Sequence, residues 1–261
     1  MSNKVLEINN LLMQFGGLKA VNDVSLDVHK SEITALIGPN GAGKTTFFNC
    51  LTGVYTPTSG DINIIPPGKK PIRANGKKPN KVTELGLART FQNIRLFQEM
   101  TVLENVMIGR HAVTKANIFN AIINGKSTRE EEQKIIHDSY EILKKLDLHT
   151  FSNEFASNLP YGAQRLLEIA RALATEPFLL LLDEPAAGMN PQETISLIGT
   201  IEKLKAEHDL SILLIEHDMH LVMNLSDRCY VMDYGKLIAK GTPNAIANNP
   251  VVIKAYLGED F

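Results

Sequence analysis

Apolar and polar residues change their spacing several times along this chain, and each change predicts a different element. Over residues 5–37 the pattern has a period of two. Val5, Leu6 and Ile8 form one apolar run, and Val24, Leu26 and Val28 sit two apart with Ser25 and Asp27 between them. Alternation of that kind predicts strands with one wet face, here a small antiparallel β lobe. The lobe leads into Ile33-Thr34-Ala35-Leu36-Ile37, an apolar, β-prone run. Residues 100–149 switch to apolar positions three and four apart (Ile135, Ile136, Tyr140, Leu143, Leu146, Leu148), which predicts helices with one buried face. From residue 158 the expectation is αβαβ. A helix spans Tyr161 to Ala174, followed by the wholly apolar strand Phe178-Leu179-Leu180-Leu181-Leu182. A helix over 191–207 starts at Pro191, and Ser211-Ile212-Leu213-Leu214-Ile215 is a second apolar strand. Short, uninterrupted apolar strands are those of a parallel sheet covered on both faces. Short strands through 228–239 and a helix over roughly 250–257 follow. No internal repeat is visible.

Between the β lobe and the helical stretch the character changes again. Pro66, Pro67, Pro71 and Pro79 mix with Lys69, Lys70, Arg73, Lys77, Lys78 and Lys81 after the strand Gly60-Asp61-Ile62-Asn63-Ile64. Residues 66–82 therefore predict an exposed loop or ribbon. Such a basic run is either a solvated loop or a contact for nucleic acid or anionic headgroups. No aromatic residues interleave with the charges as base stacking would require.

The chain has 261 residues, 44% hydrophobic and 21% charged, with a net charge of −2. That suffices for a large core and gives no global basic field for nucleic acid. Cys50 and Cys229 lie in apolar surroundings without ligand-like spacing, which predicts buried thiols in a reducing compartment. No run of 18 apolar residues is present, and the start reads as a strand and not as a signal peptide. The expected location is cytoplasmic.

Candidate chemistry begins where the Ile33–Ile37 strand meets a helical run starting at Phe47. Between them lies Gly38-Pro39-Asn40-Gly41-Ala42-Gly43-Lys44-Thr45-Thr46. Strand, glycine-rich loop and helix in that order fit the phosphate-binding loop G-x-x-x-x-G-K-[ST]. Glycines let backbone N–H groups turn around an anion, and the helix start adds unpaired N–H groups and a positive dipole end. Lys44 is a point charge for the β- and γ-phosphates. Thr45 offers a hydroxyl to Mg²⁺, and Thr46 supports the α-phosphate side. Asp183 and Glu184 end the Phe178–Leu182 strand, where ligands sit in a doubly wound sheet. Asp183 suits the Mg²⁺ shell and Glu184 suits polarising the water that attacks the γ-phosphate. Phe15, flanked by glycines upstream of the loop, reads either as turn packing or as a platform for a purine.

The order of these motifs, with Gln92 in Thr90-Phe91-Gln92-Asn93, the segment Leu159-Pro160-Tyr161-Gly162-Ala163-Gln164-Arg165, Leu182-Asp183-Glu184-Pro185 and Glu216-His217-Asp218, resembles the nucleotide-binding subunit of ABC transporters over essentially the whole chain. Tyr161-Gly162-Ala163-Gln164-Arg165, Pro185-Ala186-Ala187-Gly188-Met189-Asn190-Pro191, Glu216-His217-Asp218-Met219 and Ala255-Tyr256-Leu257-Gly258-Glu259 are similar to the branched-chain amino-acid importers. The resemblance implies a single α/β domain with a P-loop NTPase core. Residues 1–92 and 156–261 would make the β lobe and core, and 93–155 an inserted α-helical subdomain. It implies ATP and Mg²⁺ as cofactors, a second ATPase subunit, two integral membrane permease subunits and an external solute-binding protein, with no nucleic acid. The chain would lie on the inner face of the membrane through the permeases, and residues around 93–110 would form a helical contact with them through Ile94, Leu96, Phe97 and Met100, a stripe that core packing explains equally.

The resemblance also implies roles. Phe15 stacks on adenine, Gln92 binds Mg²⁺ or water and reports nucleotide state, and His217 contacts the γ-phosphate. Pro160, Tyr161, Gly162, Ala163 and Gln164 form the signature that acts on the partner's ATP. Two positions depart from the family. The usual Leu-Ser-Gly-Gly-Gln is Leu159-Pro160-Tyr161-Gly162-Ala163, and Asn190 stands where an aspartate is usual. Both changes touch sites made across a dimer: either backbone N–H groups at the helix start already supply most of the stabilisation, or, the favoured reading, this chain forms the weaker of two unequal sites in a heterodimer. The transported substrate is an amino acid by resemblance, with urea or another amide as the alternative. A soluble ABC-type protein acting on DNA repair or the ribosome is disfavoured by the single ATPase unit, the lack of a long coiled-coil insertion and the lack of a strongly basic balance. A P-loop kinase with Glu184 as base leaves the signature segment and His217 unexplained.

Overall fold

A computed structural model describes residues 3–111 and 125–257. The chain divides into two compact units, one formed by residues 1–89 and 178–261, the other by residues 90–177. The second unit is wider than the expected helical insertion, because the helix Tyr161–Leu173 belongs to it.

The first unit holds two sheets. β1 (Lys4–Phe15), β2 (Leu18–His29), β4 (Ser59–Ile64) and β5 (Ile72–Arg73) form an antiparallel sheet in the order β2-β1-β4-β5. Val24, Leu26 and Val28 are buried and Ser25 is exposed, as a strand with one wet face requires. β3 (Ile33–Ile37), β6 (Leu87–Arg89), β7 (Leu179–Asp183), β8 (Ser211–Ile215), β9 (Arg228–Asp233) and β10 (Lys236–Gly241) form the second sheet, ordered β10-β9-β3-β8-β7-β6. Its pairs are parallel except β10 with β9. Every residue of β3, β7 and β8 is buried. These three strands are covered on both faces, which is why they read as unbroken apolar runs. Cys50 and Cys229 are buried, and burial pushes both thiols up to about 12.

The structure adds to one expectation and corrects another. Residues 66–82 are the expected ribbon where β5 pairs with β4, and they add a helix that the sequence pattern did not predict. They include β5 and the helix Pro79–Glu84, and bury Ala74 and Val82. Residues 93–101 are not helical, and the helix starts at Val102 and runs to His111. Buried Asn105 explains the difference. Its side chain accepts from the Phe97 N–H (3.0 Å) and donates to the Phe97 and Thr101 carbonyls (3.0 Å each), while Glu168 accepts from the Arg95 N–H at 3.2 Å. Backbone groups that a helix would pair internally are held by side chains instead.

The rest of the second unit follows its helical pattern. The helix Gly125–Lys145 buries Ile135 and Leu143, with Leu146 and Leu148 just beyond its end, while Ile136 is exposed. The part of the expected 100–149 helical stretch that covers residues 112–124 lies outside the described residues.

Candidate nucleotide site

The glycine-rich loop leaves β3 at Ile37 and enters the helix Lys44–Leu51. Two glycines are fixed by close backbone approach. A Cβ on Gly38, where φ is 150°, would fall 2.0 Å from the Met232 carbonyl oxygen. One on Gly43, at φ 99°, would fall 2.2 Å from that of Ala20. The loop is therefore seated on β9 and β2, and no side chain caps the helix start. Lys44 is buried, with Nζ donating to the carbonyl oxygens of Gly38 (2.6 Å) and Pro39 (2.9 Å). Burial lowers its ammonium pKa, and the carboxylates of Glu184 and Asp183 oppose that shift. The cation and both candidate carboxylates thus share one neighbourhood. Thr45 and Asn40 are exposed on the open side of the loop, and Ala42 is buried beneath it.

β7 delivers the carboxylates. Asp183 is the last strand residue, and buried Arg89 holds it through Nη2 to Oδ2 at 2.7 Å. Nη1 of the same guanidinium donates to Asn49 Oδ1 (2.7 Å) and Thr52 Oγ1 (3.2 Å) on and just beyond the phosphate-loop helix. Glu184 follows in the left-handed region at φ 47°, its N–H donating to the Ile215 carbonyl at 2.9 Å. That turn lifts it off the strand path, and His217 Nδ1 lies 3.8 Å from Glu184 Oε2. Glu216 ties the two strand ends together. Its buried carboxylate accepts from the N–H groups of Ala186 (3.1 Å), His217 (3.0 Å) and Asp218 (3.3 Å). Burial raises its pKa and those backbone donors pull the other way.

Phe15 is 44% exposed at the end of β1 and packs edge-on against Tyr55, ring centroids 5.4 Å apart. Tyr55 is joined to the phosphate-loop helix by its N–H to the Asn49 carbonyl (3.0 Å). Both readings of Phe15 fit this position, since it packs on one side and is open on the other.

The donors fit a hard divalent cation, because the Thr45 hydroxyl and the Asp183 carboxylate are oxygen ligands of the kind Mg²⁺ takes. In the second unit, Gln92 is exposed and Pro160 opens the helix Tyr161–Leu173 with no side-chain cap. Gln164 donates its side chain to the Leu159 carbonyl at 2.9 Å. Tyr161 is exposed, and Gly162 and Ala163 are half-buried. Asn190 caps the helix Pro191–His208 in a reciprocal box with Glu193, at 3.0 Å and 2.9 Å.

Sequence reasoning missed four residues. Arg89, Glu168 and the anchoring roles of Arg165 and Glu216 depend on partners far away in the chain. Only Arg165 and Glu216 fall inside quoted motifs. A buried charge on an otherwise apolar helix face was the available signal for Arg165 and Glu168.

The model of the ABC transporter family matches residues 21–187, and that of the branched-chain amino acid ATP-binding cassette transporters matches residues 236–261. The chain is 48% identical to the high-affinity branched-chain amino acid transport ATP-binding protein LivG of Escherichia coli K12, covering 99% of this chain and 100% of that one. It is 47% identical to the corresponding protein BraF of Pseudomonas aeruginosa over the same shares. A crystal structure of an ATP-binding cassette of an ABC transporter in its ADP conformation superposes with a TM-score of 0.84 at 33% identity, covering 99% of this chain and 100% of the other. Phosphate loop, strand-end carboxylates and full-length likeness coincide, and the chain belongs to the ABC transporter family as one of its ATP-hydrolysing cassettes.

Proposed function

We propose that this chain hydrolyses ATP to drive import of branched-chain amino acids through membrane permease subunits. The observation that carries the substrate class is the match of residues 236–261 to the branched-chain amino-acid cassettes, added to the near-half identity with LivG over the full length. The phosphates are held by backbone N–H groups of residues 38–46 and by Lys44, and Phe15 stacks on adenine. Thr45, Asp183 and Gln92 are the residues that would hold Mg²⁺, which would supply charge neutralisation at the β- and γ-phosphates. Glu184 takes the proton of the attacking water, and His217, within 4 Å of it, contacts the γ-phosphate. Pro160 to Gln164 act on the ATP of a second cassette, which we take to be a related chain and not a copy of this one. An external solute-binding protein delivers the substrate. No described helix is long and apolar enough to cross a membrane. Attachment to the inner face of the membrane runs through the permeases.

Residues 93–101 are the proposed permease contact. Support comes from Phe97 (47% exposed) and Met100 (38%), apolar side chains left open on a non-helical segment, whereas Ile94 and Leu96 are half-buried. Cross-links from this segment to a permease in the assembled complex are expected, and their absence ends this part of the reading. The substrate class is tested by ATP-driven uptake into vesicles carrying the complete transporter. Leucine, isoleucine or valine uptake that stops with Lys44→Ala is expected. Uptake of urea or another amide in their place would overturn it.

A further inference from the structure

Arg165 lies one turn into the helix Tyr161–Leu173, and its side chain is 0% exposed. Its two terminal nitrogens hold two successive carbonyls of another segment, Nη1 to Phe91 O at 2.6 Å and Nη2 to Gln92 O at 2.8 Å. Nη1 also donates to Glu168 Oε2 at 3.1 Å, and Nη2 to the Tyr161 hydroxyl at 3.4 Å. Glu168, itself 1% exposed, turns back on the same segment. Its Oε1 accepts from the N–H groups of Phe91 (3.4 Å) and Arg95 (3.2 Å). One buried ion pair therefore grips residues 91–95 by two carbonyls and two amides. It does so from the helix whose first turn carries Pro160 to Gln164.

Stability alone gives little reason for this arrangement. Burying two charges costs several kcal/mol, and apolar side chains of equal volume often serve as well or better. A planar fork that reads two adjacent carbonyls gives a fixed position that apolar packing does not. Gln92 meanwhile stays exposed while its carbonyl is fixed.

We infer that Arg165 and Glu168 are positioning residues, which clamp the backbone at Phe91–Arg95 and so hold Gln92 in register with the signature turn. The inference rests on the reading of Gln92 as the residue that senses nucleotide. Both side chains are buried and closed to a ligand. The pair acts through residue 92, and its effect belongs to turnover and not to ATP affinity at Lys44.

The test replaces the pair by Arg165→Met with Glu168→Leu, which removes both charges together and keeps the volume. Arg165→Lys serves as a second variant, because it retains the charge opposite Glu168 and loses the fork. Three quantities are read: hydrogen exchange of the 91–95 amides in the full chain, ATP affinity, and turnover in the assembled transporter. Expected for both variants are an unchanged affinity, exchange at Phe91 and Arg95 about tenfold faster, and turnover lower by about tenfold or more, the scale of one charge-assisted hydrogen bond. Adding Gln92→Ala should produce no further loss, since both changes act through one residue. Unchanged exchange at 91–95 would overturn the clamp, and losses that multiply would overturn its action through Gln92. Normal turnover in Gln92→Ala alone would instead overturn the reading of Gln92, a failure seen separately from that of the clamp.

Discussion

Arg89 Nη2 lies 2.7 Å from Asp183 Oδ2, and the two side chains are 6% and 2% exposed. The carboxylate proposed for the metal is thus held from the end of β6, while the same guanidinium bonds Asn49 and Thr52 beside the phosphate loop. Arg89 joins three segments that must keep their spacing for chemistry to occur. Breaking a buried ion pair by removing one partner leaves an uncompensated charge, at a cost of about 3 kcal/mol or more. Arg89→Met should lower the urea midpoint accordingly. A midpoint within error of the parent chain would show that the pair contributes nothing to the fold.

Glu184→Gln should keep ATP binding and lose turnover by orders of magnitude, because the amide keeps the shape and cannot accept the proton from water. The variant should also trap the ATP-bound pair of cassettes. Hydrolysis at the parent rate in the complete transporter would remove Glu184 from the role of base and make His217, 3.8 Å from Glu184 Oε2, the next side chain to test.

Local segments of sequence carried most of the site. Gly38 to Thr46 and the Leu179–Asp183 strand end are short, contiguous patterns whose chemistry follows from residue type and spacing. The same holds for the buried strands, where unbroken apolar runs reported cover on both faces. What stayed hidden depends on distant partners. Asp183 finds Arg89 94 positions away, and the carbonyl of Gln92 finds Arg165 73 positions away. Local pattern failed at residues 93–101 for the same reason. Ile94, Leu96, Phe97 and Met100 suggested a helix, but the side chains of Asn105 and Glu168 take the backbone groups that a helix would have used.

By the resemblance to ABC cassettes, Asn190 stands where an aspartate is usual, and the structure gives it a local task as cap of the helix Pro191–His208. Asparagine and aspartate cap about equally well, so the fold is indifferent to the exchange. Asn190→Asp should leave thermal stability within about 0.5 kcal/mol. Asn190→Ala should cost about 1 kcal/mol by urea unfolding. A change in turnover with Asn190→Asp at constant stability would place the residue at the contact with the second cassette. Equal turnover would confine it to capping.

By the resemblance to ABC cassettes, Pro160 stands where a serine is usual. A serine hydroxyl bonded to a charged phosphate is worth about 1.5–3 kcal/mol. Its loss costs roughly 10- to 150-fold in rate if the bond matters only in the transition state. The helix behind Pro160 keeps an uncapped N-terminus, and backbone N–H groups there can face an anion. Such dipoles typically contribute 0.3–1 kcal/mol at exposed sites, about 2 at best, which covers only part of the loss. The altered signature should therefore form the weaker of two unequal sites. ATP held by Lys44 would meet a complete signature on the partner cassette, and the partner's ATP would meet Tyr161-Gly162-Ala163. Pro160→Ser should then raise turnover at the partner's site and leave that at Lys44 unchanged. Single-turnover measurements with each phosphate-loop lysine mutated in turn separate the two sites. Efficient ATP-driven transport by a complex whose only cassettes are two copies of this chain would show that the missing hydroxyl is dispensable and the asymmetry unfounded.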